Sequence, residues 1–272
     1  MLIQWYPGHM AKAERKIKEE TSKADVIVVL GDARAVGVSV NSDFYESIKG
    51  KKVITVYNKA SLADRSVNDE WKERFKNNGE TVFFTDCSSN EGIGDVVEYI
   101  KAMKNTFRFQ REVRVIVAGI PNVGKSMFIN TLTKRSGAKT GNMPGVTRGT
   151  NWIKSTGDFF LLDTPGVLPP KFEDQNDGIM LAAIGSVKDT ILDREELALK
   201  IIEFLLDEYP EYINQRYKIE TEGLSPLEVY EAIAVKRGFI LKRGEVDYAR
   251  CAATVTDEFK NGVIGRISFC RP

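Results

Sequence analysis

The sequence is short of the residues that brace small folds covalently or through metals. Its three cysteines, Cys87, Cys251 and Cys270, are an odd number at spacings that match neither a disulfide framework nor a zinc site. Buried, reduced thiols are the expectation. Histidine occurs once, as His9. No apolar run approaches the roughly 18 residues that cross a bilayer, so no transmembrane helix and no membrane partner are expected. Met1 to Pro7 lack a basic segment leading into an apolar one, so they do not read as a signal peptide, and the chain is placed in the cytoplasm. Excess charge is missing too: 39 basic against 38 acidic residues leave a net +1, so any contact with nucleic acid must come from local patches.

What is present is ordinary globular material. With 42% hydrophobic and 28% charged residues, a disordered or fibrous chain is excluded, and 272 residues suffice for one large or two modest domains with a real core. Short β-branched runs, Asp25 to Leu30, Val53 to Tyr57, Thr81 to Phe84, Val113 to Ala118 and Phe159 to Leu162, alternate with helix-length segments near 10–22, 65–77, 94–105 and 124–134. That alternation predicts right-handed crossovers and a mainly parallel sheet covered on both faces, an α/β domain.

After Leu168-Pro169-Pro170 the strand pattern stops. Leu197, Ile201, Phe204 and Leu205 recur along one helix face. Ser225-Pro226-Leu227-Glu228 combines an N-cap, a proline at the first helical position and a glutamate three after the cap, with Gly238 placed to end the helix. A last helix is predicted from Glu245 to Lys260. The expected division is therefore 1–177 for the α/β domain and 178–272 for a small all-α domain.

The chemistry is concentrated after the strand at Val113 to Ala118. Gly119-Ile120-Pro121-Asn122-Val123-Gly124-Lys125-Ser126 is G-x-x-x-x-G-K-S followed by a helical pattern, a phosphate-binding loop in its strand–loop–helix setting. Glycines let the backbone wrap phosphates, N–H groups meet their charge, Lys125 reaches the β and γ phosphates, and Ser126 binds Mg²⁺. Downstream, Asp163-Thr164-Pro165-Gly166 sets a carboxylate at a strand tip, suited to hold Mg²⁺ through water, before a turn whose Gly166 amide can sense the γ-phosphate. Between the two, the glycine-interrupted stretch from Gly137 to Trp152 reads as a mobile switch, in which Thr147 is either a Mg²⁺ ligand or an ordinary loop hydroxyl.

Two further strand ends carry base-recognition chemistry: Asn58-Lys59-Ala60-Ser61, and Thr85-Asp86-Cys87-Ser88-Ser89. They resemble the guanine motifs of GTPases, yet they precede the phosphate loop instead of following it, the order a circular permutation produces. With Trp5-Tyr6-Pro7-Gly8-His9-Met10-Ala11-Lys12-Ala13 at the start, Asp32-Ala33-Arg34 after the first strand and a helical C-terminal region, the chain resembles the YlqF/RbgA family along essentially its whole length. These are circularly permuted GTPases of large-ribosomal-subunit assembly.

The resemblance implies binding of GTP and GDP, slow hydrolysis stimulated by the large-subunit precursor, Mg²⁺, and a C-terminal domain that contacts rRNA. A monomer is expected. It implies nucleotide contacts from Asn122, Val123, Gly124, Lys125, Ser126 and Met127, from Thr147 and Gly166, and on the base side from Asn58, Lys59, Ser61, Cys87, Ser88 and Ser89. Lys125, Thr147, Gly166 and His9 are the catalytic candidates. Val167 stands where many GTPases carry a water-orienting Gln, so the water must be oriented from elsewhere. His9 either does this or merely begins its helix. Asn122 resembles the residue that ligates K⁺ in potassium-activated GTPases.

One departure concerns Ser61, which stands where the family's base motif has aspartate. A hydroxyl offers one weaker acceptor in place of two charged ones, so reduced guanine selectivity is expected. Asp64 either supplies the missing charge or caps the helix near 65–77. Lys236, Arg237, Lys242, Arg243, Arg250 and Arg266 form either an RNA face or a solvated surface. The alternative to a turning-over GTPase is a nucleotide-gated RNA-binding scaffold with little hydrolysis.

Overall fold

The computed structural model describes residues 20–40, 48, 50–104, 112–133, 152–164, 174–187 and 193–272. They fall into two units, one holding residues 20–164 together with Ser268–Pro272, the other residues 174–267.

The first unit is built on strands β1 (Val26–Asp32), β2 (Lys52–Asn58), β3 (Val82–Phe84), β4 (Arg114–Gly119), β5 (Ile153–Lys154) and β6 (Phe160–Asp163), with helices α1 (Arg65–Asn77), α2 (Ile93–Met103) and α3 (Lys125–Thr133). They form one sheet in the order β3-β2-β1-β4-β6-β5, parallel throughout except for β5. β1 lies between β2 and β4, so both of its edges are paired and all of its residues are buried. That is why Val26 to Leu30 reads as a continuous apolar run rather than an alternating one. Tyr57 and Ala63 are buried with Trp71 and Phe75 of α1 packed against them, so the helix covers this end of the sheet with its aromatic face.

Register decides where the chemistry goes. Asp32 pairs with Asn58, Leu30 with Gly119, and Val117 with Asp163, so the C-terminal tips of β1, β2, β4 and β6 share one edge of the sheet. The chain runs outward from β1 through β2 to β3, then returns to place β4 on the other side of β1. The crevice at such a reversal, outside the carboxyl ends of the strands, is where open α/β sheets bind ligands.

The tail of the chain belongs to this unit. Ser268 Oγ accepts from the Asp64 N–H at 3.1 Å, the Phe269 N–H donates to the Arg34 carbonyl at 2.8 Å, and Trp71 Nε1 donates to the Cys270 carbonyl at 2.9 Å. These residues, expected as part of the helical region, thus join the α/β unit. Cys270 is half-buried, whereas Cys87 and Cys251 are buried thiols. Burial pushes both of the latter up to about 12.

The second unit is helical: α4 (Gln175–Ala183), α5 (Arg194–Glu208), α6 (Pro210–Tyr217), α7 (Pro226–Lys236) and α8 (Tyr248–Lys260). α5 buries Leu197, Ala198, Ile201, Ile202 and Leu205, and α8 faces it with Cys251, Ala252, Val255 and Phe259. The predicted capping box at Ser225 and Glu228 forms in full, and Gly238 takes the left-handed conformation (φ +69°) just past α7. α8 starts at Tyr248 rather than Glu245 for a local reason: Ile240 and Val246 pair in an extended bridge, which holds the chain out of the helix until Asp247 caps it. Glu258 on α8 receives Arg216 and Arg237, tying it to α6 and to the end of α7.

Among the described residues, the predicted strands and helices recur to within one to three residues, while β5, α4 and α6 have no predicted counterpart. β5 is two residues long and has no period to detect. The helix expected near 10–22 lies almost wholly outside the described residues. No helix among the described residues is long and apolar enough to cross a membrane.

Candidate nucleotide site

β4 ends in Gly119, the loop turns, and α3 begins at Lys125 with its first N–H groups facing the loop. Two glycines make the turn possible. Gly119 has φ +149° and a Cβ there would collide with the Leu30 carbonyl, while Gly124 has φ +95° and a Cβ would strike Asn58 Nδ2. Asn122 between them is left-handed (φ +60°). Lys125 Nζ lies across the loop, donating to the carbonyls of Gly119 at 3.1 Å and Ile120 at 2.7 Å. Burial pushes its ammonium down to about 8, with the Asp163 carboxylate pulling upward and the Lys59 charge adding to the lowering. A cation held by two neutral carbonyls in an enclosed place is poised to receive an anion. Ser126 is half-buried on the first turn of α3, Val123 is buried and Met127 is exposed.

The two loops expected on the base side meet at Asn58, at the tip of β2. Its Nδ2 donates to the Val123 carbonyl in the phosphate loop at 2.8 Å, and its Oδ1 accepts from the Cys87 N–H at 3.1 Å. Both ends of this buried amide therefore bind protein, joining three loops at the sheet edge. The Ala60 N–H donates to the Thr85 carbonyl at 3.0 Å, closing the two base loops against each other.

Lys59 is left-handed (φ +61°), and its Nζ lies 2.9 Å from Asp32 Oδ2. Arg34 grips the same carboxylate with two arms, Nε to Oδ1 at 2.9 Å and Nη2 to Oδ2 at 2.8 Å. Burial alone would raise Asp32, but Arg34 and Lys59 hold it well below the usual carboxylate range. The Asp-Ala-Arg triplet after β1 is thus a buried charge clamp that fixes Lys59.

Ser61 donates its hydroxyl to Asp86 Oδ2, and Ser88 donates both its N–H, at 2.7 Å, and its hydroxyl to Asp86 Oδ1. The Ser89 N–H lies 3.4 Å from the same oxygen. Asp64 takes the plainer of its two readings: it is the N-cap of α1, accepting from the Ser66 N–H at 2.9 Å.

Lys125, Ser126 and Asp163 lie on adjacent elements of the sheet edge, and Asn58, Lys59, Ser61, Cys87, Ser88 and Ser89 on the loops beside them. His9, Thr147 and Gly166 lie outside the described residues. The sequence reading assigned no role to Asp32, Arg34 or Asp86. For Asp32 a signal existed, a carboxylate at the end of an otherwise apolar strand. The pairing of Asp86 with Ser61, 25 residues away, had no local signal.

Residues 114–232 match the family described as 50S ribosome-binding GTPase. Ribosome biogenesis GTPase A of Bacillus cereus is 38% identical over 100% of this chain and 95% of its own length. Its namesake from Thermotoga maritima is 31% identical over 99% and 95%. The chain is a GTPase of the ribosome biogenesis GTPase A family. In three dimensions, the ribosome biogenesis GTPase A fold recurs in GNP-bound YlqF of T. maritima, with a TM-score of 0.68 and 27% identity over 96% of this chain and 98% of that one. The GDP-bound YlqF structure gives 0.70 over 95% and 99%. The permuted order of motifs, base loops before phosphate loop, is accordingly the arrangement of a YlqF-like chain.

Proposed function

We propose that the chain binds GTP at this sheet edge, hydrolyses it to GDP and phosphate, and thereby assists assembly of the large ribosomal subunit in the cytoplasm. It works as a monomer whose helical unit touches rRNA. The observation that carries the reading is the convergence of phosphate loop and base loops on one buried amide, Asn58, which ties them into a single nucleotide-shaped edge.

The loop's N–H groups and the start of α3 receive the phosphates, and Lys125 exchanges its two carbonyl partners for phosphate oxygens. The Ser126 hydroxyl and the Asp163 carboxylate are the hard oxygen donors that suit Mg²⁺. When bound there, the ion neutralises charge on the β and γ oxygens. Thr147 and Gly166 complete the γ-phosphate side, Asn122 offers an oxygen to K⁺, and His9 orients the attacking water. In the helical unit Lys236, Lys242, Arg243 and Arg266 are exposed, as phosphate contacts require, while Arg237 pairs with Glu258 and Arg250 lies over the Phe239 ring.

GTP hydrolysis by the purified chain, in Mg²⁺ with K⁺ or Na⁺ and with or without large ribosomal subunits, tests the reading. Slow turnover, faster in K⁺ and strongly stimulated by the particle, is expected, with the stimulation lost in His9→Ala. GTP binding without stimulated turnover would instead mark a nucleotide-gated scaffold.

A further inference from the structure

Guanine presents two donors side by side, N1–H and the 2-amino group, and a site that selects it needs two acceptors on one edge. A carboxylate supplies them, and with charge. At position 61 this chain has a hydroxyl instead. Asp64 is engaged elsewhere as the N-cap of α1, its Oδ1 accepting from the Ser66 N–H at 2.9 Å and the Ser66 hydroxyl at 2.8 Å.

We propose that Asp86 is the guanine-reading carboxylate of this chain, delivered from the loop after β3 to the place that Ser61 leaves short. The inference rests on the GTP-binding reading above. Three observations carry it. Ser61 is hydrogen-bonded to Asp86 Oδ2 through its hydroxyl, so the carboxylate lies one short side chain beyond position 61. The two loops are locked in this relation by the backbone bond from Ala60 to Thr85, and Asp86 is anchored by its own N–H, which donates to the Glu91 carbonyl at 2.9 Å. Gly92 (φ +68°) closes that loop so tightly that a Cβ would strike the Phe84 carbonyl.

The carboxylate is also in the right state. Burial works to raise it, but the hydrogen bonds from Ser61 and Ser88 prevail and hold it below the ordinary carboxylate range, ionised and accepting only. Two of its present donors are hydroxyl rotors, on Ser61 and Ser88. Exchanging them for the two guanine donors keeps the carboxylate satisfied with and without ligand. The weakened guanine selectivity expected from Ser61 is thereby replaced by retained selectivity with its charge moved to a neighbouring loop.

Asp86→Asn is the decisive variant because its remaining side-chain oxygen still accepts the Ser88 N–H and keeps the turn. One acceptor becomes a donor, which repels the guanine amino group and matches the 2-oxo group of xanthine. Competition binding of GTP, ITP and XTP is measured on the full chain. The unaltered protein is expected to prefer GTP over ITP by about tenfold or more, and Asp86→Asn to lose that preference and gain at least about tenfold for XTP relative to GTP. Ser61→Asp combined with Asp86→Asn, which returns the charge to the first loop, is expected to restore the preference for GTP. An Asp86→Asn protein that still ranks GTP over XTP as the parent does would overturn the proposal, as would a parent that accepts ITP and GTP equally. A parent that binds no guanine nucleotide at all would overturn the GTP reading itself, a distinct result.

Discussion

Asn58 donates its side-chain amide to the Val123 carbonyl at 2.8 Å across 65 residues of chain, so the base motif and the phosphate loop are one hydrogen-bonded body. Asn58→Ala leaves the Val123 carbonyl and the buried Cys87 N–H without these partners, at about 1–3 kcal/mol each. A fluorescent GDP analogue is expected to bind at least about tenfold more weakly. Equal loss of GDP and inorganic pyrophosphate affinity would show that both loops move together; loss for GDP alone would sever the link.

Asp32 pairs both Arg34 and Lys59. Asp32→Ala removes the carboxylate that a buried guanidinium grips with two bonds, and an unfolding titration is expected to show a loss of about 3–5 kcal/mol. The pH dependence has a definite sign. A carboxylate held below its unfolded value stabilises fully above about pH 4 and loses that contribution as pH falls, because the unfolded chain then takes up the proton first. Asp32→Asn should therefore flatten the acid limb of the stability curve; an unaltered limb would mean that the clamp is not formed.

Lys125 gives the opposite sign at the alkaline end. Burial holds its ammonium down to about 8, and a phosphate bound beside it is expected to raise it. Below pH 8 affinity for GDP should be level; above it, affinity should fall by up to about tenfold per unit as binding must take up a proton. Calorimetry at pH 9 in buffers of different ionisation enthalpy should register that proton, and its absence would refute the shift.

Removal of Ser268–Pro272 takes away the bonds to Asp64, Arg34 and Trp71. At about 1 kcal/mol each, the α/β unit is expected to melt roughly 6–12 °C lower. A truncated chain that melts as the full one does would show that the tail merely lies on the surface.

Much of this architecture was legible because it is periodic or local. The apolar strands, the Ser225 capping box, the Asp64 cap and the phosphate loop each declare themselves within a few residues. What escaped the sequence is what joins distant segments. The motif marks Asn58 as a base contact, but gives no sign of its bonds to Val123 and Cys87. The motif around Asp86 carries no local sign of its partner, since only the fold shows that position 86 and position 61 meet. The tail was assigned with the helices that precede it, because bonds spanning about two hundred residues leave no pattern in a local window.

Those long bonds also set an order in time. Asp64 and Trp71 are made first, and their partners Ser268 and Cys270 follow 204 and 199 positions later. At about 5–20 residues per second, translation leaves the α/β unit without its closing strap for roughly 10 to 40 s. The nucleotide domain of this chain therefore reaches its final form only after the helical unit has been made, although its sheet was encoded first.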